Sequence, residues 1–118
     1  MIVTVTADST IPPFEQIRIQ ILDAVQSGEL VPGSRLPPVR RLAQDLGLAA
    51  NTVARAYREL ESHGVVQTRG RHGTVVAPHG DAATRAVQTA AIEYVRTARR
   101  LGLGDPEARA IIDAALKA

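Results

Sequence analysis

The chain has 118 residues, a formal net charge of +2 and no cysteine. That length suits one compact domain, or a small domain with an appendage, and the missing thiols exclude disulfides, thiolate zinc sites and thiol catalysis. The aromatic residues Phe14, Tyr57 and Tyr94 are too few for a single-strand stacking platform, no apolar run nears the roughly 18 residues of a membrane span, and no basic-then-apolar leader opens the chain; the expectation is a soluble cytoplasmic protein with no membrane partner.

Taken in order, Met1–Thr6 alternates apolar and polar residues and predicts a short edge strand or an ordered arm. Pro12 and Pro13 suit a helix start, because a first-turn residue needs no backbone donor. Phe14, Ile17, Ile21, Leu22 and Val25 then recur at helical spacing, and Gly28 suits a left-handed stop, so a first helix is predicted over about 12–27. Pro32-Gly33 marks a turn and Pro37-Pro38 an end. A second helix is predicted over about 38–46, with Val39, Leu42, Ala43 and Leu46 inward, stopped by Gly47. A third runs from about Ala50 to Ser62, with Val53, Tyr57 and Leu60 inward, stopped by Gly64. Strands at 65–69 and 74–77 flank the loop Gly70-Arg71-His72-Gly73, and Pro78-His79-Gly80 reads as a hinge. Beyond it Val87, Ala91, Tyr94, Ala98 and Leu101 form a seam of 3.5-residue period. Gly102 and Gly104 break it, and Asp105 is read as the cap of a last helix with Ala108, Ile111, Ile112 and Ala115 inward.

Charge is uneven along this order. Residues 1–34 hold one Arg against four acids, residues 35–71 seven Arg against three, and residues 72–118 five Arg and one Lys against five. The basic excess therefore sits in the middle third.

Helix, turn, helix, tight turn, helix and β-hairpin is the order of a winged helix-turn-helix. The tight turn is the informative part: Ala43 lets two helices cross closely, Gly47 supplies a positive φ, and Val53 packs the third helix on the second. With Val53, Tyr57 and Leu60 inward, the third helix leaves Asn51, Thr52, Arg55, Arg58 and Ser62 on its outer face. Asn can pair with adenine, Arg with guanine, and a Thr methyl can touch a thymine methyl. Arg69, Gly70, Arg71 and His72 form a basic loop suited to phosphate or a minor groove, and Arg40 lies in the first turn of the second helix, where a phosphate can be met. Arg41 beside it serves equally as a surface ion-pair partner.

On these residues the sequence resembles the GntR family of bacterial transcription regulators, in its short YtrA-like form. The resemblance is carried by Pro12-Pro13-Phe14-Glu15-Gln16-Ile17, Gly28-Glu29-Leu30, Pro32-Gly33-Ser34-Arg35-Leu36-Pro37, Val39-Arg40, Leu42-Ala43, Leu46-Gly47, Asn51 through Leu60, Gly64 and Gly73-Thr74-Val75-Val76. Two departures stand out: Ala49-Ala50 where members often carry a polar cap, and Arg41 where they usually carry Glu. The resemblance implies a mostly α chain with a small β-hairpin (α+β), a winged helix-turn-helix over 1–78 and a two-helix dimerisation region over 79–118. It implies a homodimeric repressor on an inverted-repeat DNA operator, without cofactor or metal and with room for a small-molecule effector of unassigned site.

Two other function classes compete with this reading. Catalysis is not expected, because His63, His72 and His79 form no metal-binding i, i+4 pair and no nucleophile–base arrangement is visible. A winged-helix module that docks protein instead of an operator is the alternative. It would lack the steep salt dependence of phosphate-dominated binding.

Overall fold

The computed structural model describes all 118 residues. The element order is α1 (Pro13–Gln26), α2 (Val39–Leu46), α3 (Ala50–Ser62), β1 (Val66–Thr68), β2 (Thr74–Val76), α4 (Ala82–Arg100) and α5 (Asp105–Leu116). The chain divides into two compact units, Met1–His79 and Gly80–Ala118.

In the first unit, α1 starts with Pro13 in its first turn and buries Ile17, Ile21 and Ala24, one turn apart on one face. That face meets α3, which buries Val53, Ala56, Tyr57 and Leu60. Leu42 and Ala43 of α2 close the same core, with Leu36 and Val66 beneath them. Ile17, Ile21, Val53, Leu60, Val66 and Val76 are almost wholly removed from solvent. Each contributes about 1.5–3 kcal/mol from burial. Tyr57 is buried too, and its hydroxyl donates to the Pro37 carbonyl at 2.7 Å. Burial pushes that phenol well above its ordinary pKa, so it stays a neutral donor.

β1 and β2 pair antiparallel with Val66 opposite Val76 and Thr68 opposite Thr74. A third stretch joins them: Arg35 bridges Val75, the Leu36 amide donates to the Thr74 carbonyl and the Val76 amide to the Ser34 carbonyl, both at 2.8 Å. The linker between α1 and α2 thus becomes an edge of the hairpin.

Met1–Thr6 forms no strand. It is an arm laid on α1, with Val3 buried and its backbone amides capped by side chains. The Thr4 amide donates to Gln20 Oε1 at 3.0 Å and the Thr6 amide to Gln16 Oε1 at 2.8 Å. The alternation is satisfied by glutamine side chains, not by a neighbouring strand.

In the second unit Asp81 caps α4, its carboxylate accepting from the Thr84 amide at 2.7 Å. The hydrogen bond from the Thr84 backbone, then that from its side chain, holds the Asp81 pKa below the usual carboxylate value. The cap of α5 corrects the expectation for Asp105. That residue is already helical, Gly104 holds the cap position, and Glu107 accepts from the Gly104 amide at 2.7 Å. Tyr94 ties the two helices, donating to the Ala108 carbonyl at 2.7 Å. Ile111, Ile112 and Ala115, expected to face inward, are exposed, because this pair of helices has no third element to cover them.

Candidate nucleic-acid interface

The tight turn is built as its residues require. Gly47 adopts φ 67° and ψ 32°, a left-handed conformation that costs an L side chain energy. The Leu48 amide then returns to the Ala43 carbonyl at 2.9 Å, closing α2. Ala43, Val53 and Ala56 are buried at the crossing, where larger side chains would hold α2 and α3 apart. This fixes which face of α3 looks outward.

That face holds Asn51, Arg58 and Ser62, all exposed, with Thr52 half-buried at its edge. Arg58 leans toward the hairpin, where it lines a cleft with Val39, Ala54, Thr68 and Thr74. Arg55 leans the other way. Its guanidinium carbon lies 3.7 Å from the centre of the Phe14 ring, and its Nε is 3.7 Å from a Glu59 carboxylate oxygen. The ring face attracts the cation, and the carboxylate adds to the hold. Glu15 and Arg18 form an ion pair on the same side of α1, and the hydrogen bond from Arg18 lowers the Glu15 pKa. Arg55 is exposed as Asn51 and Arg58 are, with its side chain 57% accessible, but its guanidinium is drawn toward the edge of α1.

Neither α2 nor α3 has a side-chain cap: Pro38 and Ala49 hold those positions without an acceptor. Apart from the Thr52 amide, which donates to the Ala49 carbonyl at 3.1 Å, the first amides of each helix are left for an outside acceptor, and the positive end of the helix favours an anion there. Arg40 is exposed in the first turn of α2 and makes no ion pair, while Arg41 is paired with Asp45 at 3.5 Å.

The four-residue hairpin loop folds as a single 3₁₀ turn over Gly70–His72, ended by Gly73. It closes through three backbone bonds: Arg69 amide to Gly73 carbonyl at 2.8 Å, His72 amide to Arg69 carbonyl at 2.9 Å, and Gly73 amide to Gly70 carbonyl at 3.1 Å. Gly70 and Gly73 take φ of 53° and 69°. Arg71 and His72 project into solvent, while Arg69 Nε donates to Gln67 Oε1 at 2.8 Å. Composition and loop length showed these residues but not Arg35. Its guanidinium reaches the loop from across the hairpin, donating to the Arg71 carbonyl at 2.8 Å.

Arg40, Arg58, Arg71 and Arg35 are in no ion pair, so α2, α3 and the hairpin share a basic surface. Guanidinium, amide, hydroxyl and free backbone donors are the groups that phosphates and base edges accept.

The residues expected to pair two chains divide. Tyr94 and Ala98 pack against α5 of their own chain, and with Ala91, Val95, Leu103 and Ala108 they line a groove of about 440 Å³ between α4 and α5. Val87 and Leu101 stand out into solvent, 69% and 72% exposed.

Residues 13–76 match the family model described as "Bacterial regulatory proteins, gntR family". The chain is 56% identical over 97 residues to the HTH-type transcriptional regulator Rv1152 of Mycobacterium tuberculosis, covering 82% of this chain and 79% of that one. It is 39% identical over 69 residues to the HTH-type transcriptional repressor YtrA of Bacillus subtilis, a match spanning 58% of this chain and 53% of the relative. Among solved structures, YtrA from Sulfolobus acidocaldarius, a GntR-family transcription factor, superposes with a TM-score of 0.62 at 27% identity, covering 97% of this chain and 96% of that one. The DNA-binding domain of AraR in complex with operator ORX1 superposes with a TM-score of 0.55 at 25% identity, over 62% of this chain and 90% of that one.

Proposed function

Because the chain belongs to the GntR family of bacterial regulatory proteins, we propose that it is a transcriptional repressor that binds an inverted-repeat operator as a homodimer. The observation that carries this is the surface shared by the uncapped end of α3, its face of Asn51 and Arg58, and the basic hairpin tip. α3 enters the major groove, where Asn51 and Arg58 meet base edges and the Thr52 methyl packs at the edge of the contact. Arg40 and the first amides of α2 and α3 take backbone phosphates. Arg71, His72 and the Gly70 backbone hold the flanking phosphates or minor groove, with Arg69 beside them. Arg55 acts one step back, holding α3 against Phe14, and its loss alters the pose of the helix more than the reading of one base.

Dimerisation belongs to the second unit. It buries only Ala98 among its large and small apolar residues, yet exposes Val87, Leu101, Ile111, Ile112 and Leu116. Units of this size usually need oligomerisation to be stable, and a partner's helices supply the missing cover. The repressor reading draws on YtrA, which is named a repressor.

Selection of genomic fragments at controlled salt tests the proposal. Recovery of an inverted repeat, bound with an affinity that falls steeply as salt rises, is expected. Equal recovery of all fragments, with salt-insensitive binding, would favour the protein-docking alternative.

A further inference from the structure

We infer that Arg35 is the positioning residue of the hairpin tip, a strut that fixes the loop from which Arg71 and His72 reach DNA. This rests on the reading of the hairpin as a DNA contact. Arg35 is anchored at both ends. Its backbone bridges Val75, between the Leu36–Thr74 and Val76–Ser34 hydrogen bonds, so its Cα has little freedom. Its Nη2 donates to the Arg71 carbonyl at 2.8 Å, a bond that spans 36 positions of sequence. Between these ends the guanidinium lies along Gly73, where a Cβ would stand 3.4 Å from Nε. Gly73 therefore serves twice: it takes a φ of 69°, and it leaves a bare backbone for the guanidinium to cross.

The tip needs such a strut. It is a single 3₁₀ turn with no buried side chain, and its three closing hydrogen bonds are all backbone. Solvent competes for each of them, and loops of this kind open at little cost. A charge-assisted bond to one of its carbonyls is stronger than a neutral one. It also sets the orientation of the Arg71 peptide, and with it the direction of the Arg71 side chain.

Two measurements on the full chain test this. Amide hydrogen exchange is read in the DNA-free protein for Arg35→Ala and for Arg35→Met, which keeps the aliphatic stem and removes the donor. The Arg69, His72 and Gly73 amides are expected to exchange roughly five- to tenfold faster in both, with the Leu60 amide unchanged. Tip exchange as slow as in the parent in the Met variant would overturn the proposal. The salt dependence of DNA binding is then compared for Arg35→Ala, Arg71→Ala and the double variant. A strut predicts that the double variant has the same salt slope as Arg71→Ala. A further drop of about one phosphate-equivalent in the double variant would make Arg35 an independent phosphate contact and overturn its positioning role. If Arg71→Ala binds like the parent, the hairpin contact fails as a reading while the exchange result still decides the strut.

Discussion

Residues 1–79 fold around a core that includes Ile17, Ile21, Val53, Leu60 and Val76, all nearly inaccessible, whereas residues 80–118 bury only Ala98 and leave Leu116 79% exposed. Both units are made of well-formed helices with recognisable ends. The difference lies in what the helices pack against. In the first unit α1, α2, α3 and the hairpin each cover another's apolar face. In the second, two helices meet through Tyr94 and Ala98, and their remaining apolar residues have no cover within the unit. The first covers its own apolar faces, and the second leaves most of them exposed. In the function proposed above, the first unit meets DNA and the second a further copy of the chain.

The sharpest way to break this contrast is to charge the exposed residues of α4. Val87→Asp together with Leu101→Asp removes apolar surface without touching the Tyr94–Ala108 bond. The expected product is a folded monomer whose operator affinity is lower by roughly 10²-fold or more, the loss of linked binding. Sedimentation that still shows a dimer would place the interface elsewhere.

A core substitution probes the other side of the contrast. Leu60→Ala is expected to cost about 2–5 kcal/mol, read as a lower urea midpoint that does not depend on protein concentration. Under the proposed pairing, melting of α4 and α5, followed separately, should depend on concentration, since a second copy would cover their exposed residues. Identical concentration dependence in both units would erase the distinction.

Within the first unit the contrast is between residues that face outward and those that lean inward. Asn51→Ala is expected to cost about 1–3 kcal/mol at one base position per half-site, measured by competition among operator variants. Arg55→Ala should instead weaken all sequences alike, since its cation sits over Phe14. A base-specific loss for Arg55→Ala would return it to the reading face.

The smallest effect expected is at Asp81. Its folded-state pKa lies below the ordinary value, so the cap is at full strength above the unfolded pKa and is lost as pH falls through the folded one. Backbone chemical shifts should show the first turn of α4 fraying in that acidic window. Asp81→Asn, which caps without titrating, should remove the pH dependence.

The helices were legible in the sequence because glycines bound them. Gly47 and Gly64 end α2 and α3 where the left-handed stop is required, and the apolar spacing names the buried faces. The arm at Met1–Thr6 was half legible: alternation shows which residues face the core, but not that Gln16 and Gln20 replace a neighbouring strand. Arg55 is legible as an exposed cation of α3, but its seat over Phe14 is not, because that contact depends on how α1 packs on α3. Arg35 was invisible as a site residue, because its role depends on a contact formed only when the hairpin closes. The seam from Val87 to Leu101 has one period, yet Tyr94 and Ala98 pack within the unit while Val87 and Leu101 are exposed. Spacing cannot separate a face that packs in its own chain from one left for another.

If one unit reads DNA and the other pairs chains, sedimentation of the protein on a selected inverted repeat, beside the Val87→Asp/Leu101→Asp variant, separates the two roles. The parent is expected to load two chains per repeat at concentrations where a single half-site stays empty, and the variant to load one chain at a time with equal affinity for repeat and half-site. Cooperative loading of two chains by the variant, or single-chain loading by the parent, would show that the second unit does not pair the chains.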